Sequence, residues 1–398
     1  MRTSAKSWLL RIAMMLVGSC LLSITAAGQG TPHYLLTNDD LPLPIIPINP
    51  TSVTFYTIEA DGHITLKTTV FTGGFGIGGG FFGLNRLAVL NNSGNQCVFS
   101  SEASTSDIVG IDVNTLTVTG SAVGSQNDTG TSNGIGLAMS GGYLYASFSD
   151  TSSIGTFQIQ PGCMLSFVGD ITVSGLQGGI IDGMAAHGNM LIVTYADGSI
   201  ESFNISNVTP VSNGDKQNST AATNMRGSTY PSSIDITQDG RFAIFGDTST
   251  GIVIEVSDIS SGKLTGTVVY KSAASISSSN ILLSPDETVL YISNTQGDQV
   301  SAAFFDKNTG RITPGCVSGF IRGYSSQWSY LAGLAQAFTA GNGGGVYVAE
   351  FGAPGTIGLV QLKVAGGGCS MKETNLSPRV DQNSAGLLSI GTFPPRSF

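Results

Sequence analysis

Charge is scarce in this chain. Only 11% of its 398 residues are Asp, Glu, Lys or Arg, where a globular surface usually draws on about 25%. Histidine occurs three times and tryptophan twice. Each shortage removes a class of function. With 17 basic residues against 26 acidic ones the net charge is -9, so the basic footprint required by nucleic acid or an anionic membrane is missing. Beyond the first thirty residues no apolar run nears the roughly 20 residues of a membrane span. His33, His63 and His187 stand apart, and none has a second ligand at metal spacing. His187 follows an inner-strand candidate, on the face opposite the one where ligands are expected. A Gly-x-Ser-x-Gly elbow is absent, and Gly73 to Gly83 (GGFGIGGGFFG) has neither the following helix nor the Lys-Ser/Thr of a phosphate loop. That glycine run reads as a connection between structural units. Between Ile281 and Ile312 the turn signals leave no segment with room for a helix.

What remains is glycine, serine, threonine and short apolar runs, with 54 glycines in all. This is the composition of a turn-rich β protein. At the N-terminus Arg2, Lys6 and Arg11 precede the apolar run Ile12 to Ile24 and the small residues Thr25, Ala26, Ala27 and Gly28. The pattern predicts a signal peptide over 1–28, cleavage near Ala27 or Gly28, and a secreted or periplasmic protein. Leu16-Val17-Gly18-Ser19-Cys20 offers a competing lipobox, with anchoring through Cys20, but apolar sequence continues past the cysteine. Four cysteines follow: Cys97, Cys163, Cys316 and Cys369. An even number in an exported chain implies disulfides, and four cysteines allow three pairings. Cys163, Cys316 and Cys369 each follow a turn ahead of a fourth strand, and Cys97 opens a second strand. The expectation is Cys97 with Cys163 and Cys316 with Cys369.

The stretch Ile281 to Ile312 packs four short strand signals between turns at Pro285-Asp286 and Asn308-Gly310. The same grammar recurs near every fifty residues, the sequence mark of a β-propeller. Seven units can be anchored on a second strand, at Tyr34, Phe99, Tyr145, Ile192, Ala243, Tyr291 and Tyr347. Inner-strand candidates precede all but the first: Arg86 to Leu90, Ile135 to Met139, Gly183 to Ala186, Ile234 to Ile236, Asn280 to Leu283 and Leu334 to Phe338. Tyr34 comes too early to leave room for one. The C-terminal run Ser384 to Phe393 (SAGLLSIGTF) has no partner of its own and fits the empty place. The expected fold is all-β: one seven-bladed propeller of four-stranded antiparallel blades over 29–398, closed by strand 384–393 joining blade 1.

These repeats resemble the lactonase-like propellers, the group of 6-phosphogluconolactonase-type proteins and related YVTN repeats. The likeness rests on Ser284-Pro285-Asp286-Glu287-Thr288-Val289-Leu290-Tyr291-Ile292-Ser293-Asn294, on Thr237-Gln238-Asp239-Gly240-Arg241-Phe242-Ala243 and on Asp306-Lys307-Asn308-Thr309-Gly310-Arg311-Ile312. It spans nearly the whole mature chain. Lactonases of that group carry a Gly-Pro-Arg-His run entering an inner strand, where arginine holds an anion and histidine activates water. Here the run is Tyr230-Pro231-Ser232-Ser233, so serines replace both functional residues.

In such a ring the loops from strand two to three and from strand four to the next blade open on one face. The former carry Asp39, Glu102, Asp150, Asp197, Asp247 and Glu350, candidate ligands for a hard cation such as calcium; turn preference alone also explains them. The latter carry Arg226 and Tyr230 before blade 5, and Arg322, Tyr324, Gln327, Trp328 and Tyr330 before blade 7. Aromatic rings beside hydrogen-bonding groups suit a sugar or another small polar ligand, and packing between blades accounts for them equally. The resulting expectation is a monomer that binds a small polar ligand or a protein at the channel mouth without catalysis. The alternative is a lactone hydrolase in which Arg226 or Arg322 holds the anion and Asp247 or Glu350 serves as general base or metal ligand.

Overall fold

A strand that is apolar on both faces must be covered on both sides, and the second strand of each repeat is of this kind. Met190–Tyr195 (MLIVTY) is buried at every residue, and Gln96–Glu102 at all but the first. A sheet of four such strands needs a neighbouring sheet on each face. The computed structural model describes residues 32–39, 51–77, 84–123, 134–219, 231–247, 253–271, 278–294, 299–319, 330–337, 345–351, 357–365, 370–373, 379–381 and 389–395. The chain divides into Met1–Pro32 and His33–Phe398, and the second unit holds every described strand. No helix among the described residues is long and apolar enough to cross a membrane.

Seven antiparallel sheets form, each ordered from inner strand to outer in sequence except the first. The inner strands are Ser389–Phe393, Leu87–Asn91, Ile135–Ser140, Ile181–His187, Pro231–Ile236, Ser278–Leu283 and Tyr330–Ala337, for blades 1 to 7. Each contacts the next, and the seventh contacts the first, so the ring is closed. All seven anchor residues expected from the sequence lie in second strands.

The core is likewise divided into seven apolar layers, one between each pair of neighbouring blades. Alternate residues of a second strand serve opposite layers. Leu290 and Ile292 pack toward blade 5 with Ile244 and Ile254, whereas Val289 and Tyr291 pack toward blade 7 with Val346 and Val348. Burying each such side chain contributes about 1.5–3 kcal/mol, so no blade could retain that gain alone. Cys97 and Cys163 form a disulfide across the layer between blades 2 and 3, with Cα atoms 5.5 Å apart. Cys316 is disulfide-bonded as well; its expected partner, Cys369, lies outside the described residues.

Closure is by the expected route. Ser389–Phe393 pairs antiparallel with Tyr34–Asn38, from Tyr34 opposite Phe393 to Asn38 opposite Ser389. The strand is the second half of the run proposed for it. Phe393 is fully buried beside Tyr34. The Ser389 hydroxyl accepts the Arg86 N–H (2.8 Å) and donates to the Leu84 carbonyl (3.2 Å), which ties the same strand to blade 2.

The outer strands expose sheet edges, and each edge is interrupted. In blades 1, 2, 3, 5 and 6 the pairing with the third strand skips one outer residue: Lys67, Thr119, Val168, Gly266 and Gly315. In blade 4 the edge splits into Val211–Ser212 and Gln217–Asn218, and in blade 7 into Ser370–Glu373 and Arg379–Asp381. Bulges and breaks of this sort twist an edge away from pairing with another chain.

Replacing the buried closing residue, Phe393→Ala, should lower stability by about 3–5 kcal/mol in denaturant titration. Phe304→Ala, at a side chain 41% exposed, should move it by less than about 0.5 kcal/mol. Removal of residues 384–398 should abolish the cooperative transition, and an unaltered midpoint in the truncated chain would contradict closure by this strand.

Candidate functional site

Strand direction fixes which face is which. Each inner strand starts where the preceding blade hands over and ends in the turn to its second strand; second strands run back the opposite way. Inner-strand starts and the loops between strands two and three therefore share one face, the channel mouth.

That mouth is asymmetric. Inner and second strands pair without interruption in blades 1, 2 and 3. In blades 4 to 7 the register slips close to the mouth, between Ile181 and Gly183, Pro231 and Ser233, Ser278 and Ile281, and Leu331 and Gly333. The extra residues are Asp182, Ser232, Ser279 with Asn280, and Ala332. A bulge re-aims side chains, and bulges gather beside binding sites. The residue opposite the start of the slip is equivalent in each blade: Tyr195, Asp247, Asn294 and Glu350. Two of these, Asp247 and Glu350, are the carboxylates proposed from sequence, so the backbone places both at one register position; their side chains lie outside the described residues. In blade 4 that place is held by Tyr195 rather than Asp197.

The other mouth candidates divide in the same way. Arg226, Arg322, Tyr324, Gln327 and Trp328 lie outside the described residues, as does Tyr230. Tyr330 opens the inner strand of blade 7 opposite Phe351. Tyr230 and Tyr330 occupy corresponding places in sequence, each two residues ahead of a bulge, in Tyr230-Pro231-Ser232 and Tyr330-Leu331-Ala332.

Among the carboxylates proposed as cation ligands, Asp39 is fully buried, and its oxygens accept hydroxyls from Thr37 (2.8 Å), Thr54 (2.9 Å) and Ser52. Glu102 is also fully buried and accepts from Ser100 (3.2 Å). Asp150 is exposed. Asp197 takes the N–H groups of Gln177 (2.7 Å), Gly179 (3.0 Å) and Ser199 (3.0 Å) together with the Ser199 hydroxyl (2.5 Å). It thereby pins the connection from blade 3 onto the rim of blade 4. Burial acts to raise the Asp197 carboxyl, but the hydrogen bonds from Ser199, Gln177 and Gly179 outweigh it and hold the group below its ordinary value. Among the described residues no three His, Cys, Asp or Glu side chains converge as a metal site requires.

Below the mouth the inner strands enclose a channel cavity of about 320 Å³. Its described polar lining consists of Asn85, Ser233, Asp235, Asn280 and Thr392, and the rest is apolar. Ser233 and Asp235 stitch blade 5 to blade 6. The Ser233 hydroxyl accepts the Ile281 N–H (3.0 Å), and the Asp235 carboxylate accepts those of Leu283 (2.8 Å) and Ile236 (2.8 Å). The serine standing where the lactonases have a catalytic residue is thus part of the wall.

Sequence reading also missed a charged knot on the rim of blade 4. Glu201, nearly buried, accepts from Tyr195 (2.9 Å) and Ser212 (2.6 Å) and pairs with Lys216 at 3.1 Å; Lys216 also donates to the Ser174 carbonyl (2.6 Å) and stands over the Tyr195 ring. Burial, then the adjacent Glu201 charge, push the Tyr195 hydroxyl well above its ordinary range. Glu201 four residues after Asp197 was the available signal, since a charged residue inside a buried strand needs a partner.

Seven four-stranded blades closed by a C-terminal strand give the lactonase-like propeller fold. No family model matches the sequence, and no curated protein matches it. Solved structures do match the fold. A candidate 6-phosphogluconolactonase from Bacteroides uniformis superposes with a TM-score of 0.67 over 92% of this chain and 100% of its own, at 13% identity. A second from Bacteroides fragilis gives 0.63 over 92% and 99%, at 14% identity. The periplasmic gluconolactonase of Pseudomonas aeruginosa gives 0.53 over 72% and 82%, also at 14%. At such identities the likeness concerns architecture.

The depressed Asp197 carboxyl has a stability consequence. Such a group binds its proton less readily folded than unfolded, so its contribution is complete above the unfolded carboxylate range near pH 4 and is lost as pH falls through the lower folded value. Asp197→Asn should destabilise the fold by about 1–3 kcal/mol at pH 7 and flatten the fall of melting temperature below about pH 4. An acid limb identical to that of the unmodified protein would show that Asp197 holds nothing in place.

Proposed function

We propose that this chain is an exported propeller that binds a small polar ligand, or a polar segment of a protein partner, at the half of the channel mouth formed by blades 4 to 7, without catalysing a reaction. The observation that carries this reading is the run of four mouth bulges confined to those blades. Repeating strands keep a regular register unless something is gained by breaking it. In sequence, the segments ahead of blades 5 and 7 carry Arg226, Tyr230, Arg322, Tyr324, Gln327, Trp328 and Tyr330, the residue types that such a ligand would need. Binding without turnover is favoured by Ser232 and Ser233 at the places where lactonases hold arginine and histidine, and by a Ser233 hydroxyl engaged with the Ile281 N–H. Export is favoured by the N-terminal signal pattern, and the Cys97–Cys163 disulfide suits an oxidising compartment.

A second reading, lactone hydrolysis, is favoured by one observation: Asp247 and Glu350 share a register position beside bulges. In that case Arg226 or Arg322 would hold the substrate's anion, and a carboxylate would act as general base or bind a metal that activates water.

A pH-indicator assay on a panel of sugar lactones, before and after chelation, separates the two. The expected outcome is no hydrolysis above the blank, together with saturable thermal stabilisation by at least one sugar or sugar acid that is lost in Arg322→Ala. Hydrolysis abolished by Glu350→Gln or by Arg322→Ala would overturn the binding reading.

A further inference from the structure

The face opposite the mouth carries a second cavity, of about 530 Å³, between blades 4 and 5. The two blades differ at the residue that borders it. Phe242 opens the second strand of blade 5, and Arg241 just before it reaches across to blade 6, donating to the Asn308 carbonyl at 2.9 Å. Met190 opens the second strand of blade 4, and the residue before it is Asn189. Asn189 lines the open space between blade 4 and the turn residues Ile259, Ser260 and Gly262 of blade 5. Met190 and Ile259, both buried, form its floor.

The walls are dense in planar polar groups. His187, Asn189, Asn204 and Asn213 come from blade 4; Asp239, Arg241 and Ser260 come from blade 5. Several are held in position by local bonds. His187 Nε2 lies 3.0 Å from the Gln238 carbonyl, which only accepts, so this nitrogen carries the proton. The His187 ring packs on Gly240, where an added Cβ would stand 2.7 Å from Nδ1 and where φ is +67°. Glycine is therefore required at this wall for both space and backbone conformation. The Asn213 amide donates to the Ser202 hydroxyl (2.8 Å), and the Asn204 carbonyl oxygen accepts the Ser206 N–H (2.8 Å). Asp239 accepts from Thr237 (2.7 Å) and from the Arg241 N–H (3.0 Å).

Charge in the cleft leans negative. Arg241 stands 3.8 Å from Asp258 and close to Asp239, so the one described cation in the walls is already countered, and a free anion finds no net attraction. Amides, a carboxylate and a guanidinium can each give or take two hydrogen bonds in one plane, which matches neighbouring hydroxyls on a ring.

We propose that this cleft between blades 4 and 5 is a binding site for a neutral sugar, separate from the channel mouth. Vicinal hydroxyls would bond to the amides of Asn189, Asn204 and Asn213 and to Asp239, while the sugar's carbon face would rest on Met190 and Ile259. The proposal is independent of what the mouth binds.

The test is saturation-transfer NMR and calorimetry of the full-length protein with neutral hexoses and disaccharides, alongside the corresponding sugar acids. A neutral sugar should bind saturably, and its acid about tenfold more weakly, since the cleft offers the carboxylate no unbalanced cation. Asn189→Arg, which copies the arrangement of the next blade, should abolish binding while leaving the melting temperature unchanged. Should that variant unfold, Asn204→Ala and Asn213→Ala should each weaken binding about tenfold. Arg322→Ala should leave sugar binding in the cleft intact, which keeps this outcome distinct from failure at the mouth. The proposal is overturned if no neutral sugar binds, if acids bind as tightly as neutral sugars, or if folded Asn189→Arg retains full affinity.

Discussion

Everything in this ring depends on covering two-faced sheets. A blade whose second strand is apolar on both sides has no stable existence alone, and the only arrangement that covers every face is a circle. The seven separate apolar layers express this directly: each belongs to two blades and none to one. Stability is thus a property of the interfaces. Polar bonds across them set the angle between blades rather than supplying the bulk of the energy, as with Tyr145 to the Val208 carbonyl between blades 3 and 4, or Tyr347 to the Gly62 carbonyl between blades 7 and 1.

Irregularity in strand pairing is distributed with the same economy. On the outer rim, a skipped residue or a break in every blade guards the edge against foreign strands. At the mouth, slips occur in four consecutive blades, where regular pairing would have directed residues such as Asp182 and Ser232 along the wall. The device is one, and its position decides whether it repels a partner or shapes a place for one. The cleft on the far face involves no slip of register: it lies between the turns of blades 4 and 5, over Met190 and Ile259.

How much of this the sequence disclosed follows from what each feature leaves in the residue pattern. Two-sided burial concentrates apolar residues, so Leu191, Ile192 and Val193 or Leu290, Tyr291 and Ile292 mark second strands without ambiguity. A missing inner strand ahead of Tyr34 is visible by subtraction, which made the role of Ser389–Phe393 legible. The Cys97–Cys163 bridge was legible because both cysteines adjoin turns on one face. A bulge leaves little trace, because one extra serine in Pro231-Ser232-Ser233 looks the same as a paired one. For this reason Tyr195, and not Asp197, turned out to share the position of Asp247 and Glu350. Similarly, the acidic residues Asp39 and Asp197 looked like ligands in sequence, where nothing shows that nearby hydroxyls and amides already satisfy them.

The strand that completes blade 1 has a consequence for the order of assembly. Tyr34–Asn38 precedes every other described strand along the chain, and its inner partner, Ser389–Phe393, follows every other one. Until those residues emerge, blade 1 lacks its innermost member and the faces that blades 1 and 7 turn toward each other stay wet. The chain therefore stays an unsealed arc while every other described strand is made, and the shift to a locked circle waits for Ser389–Phe393.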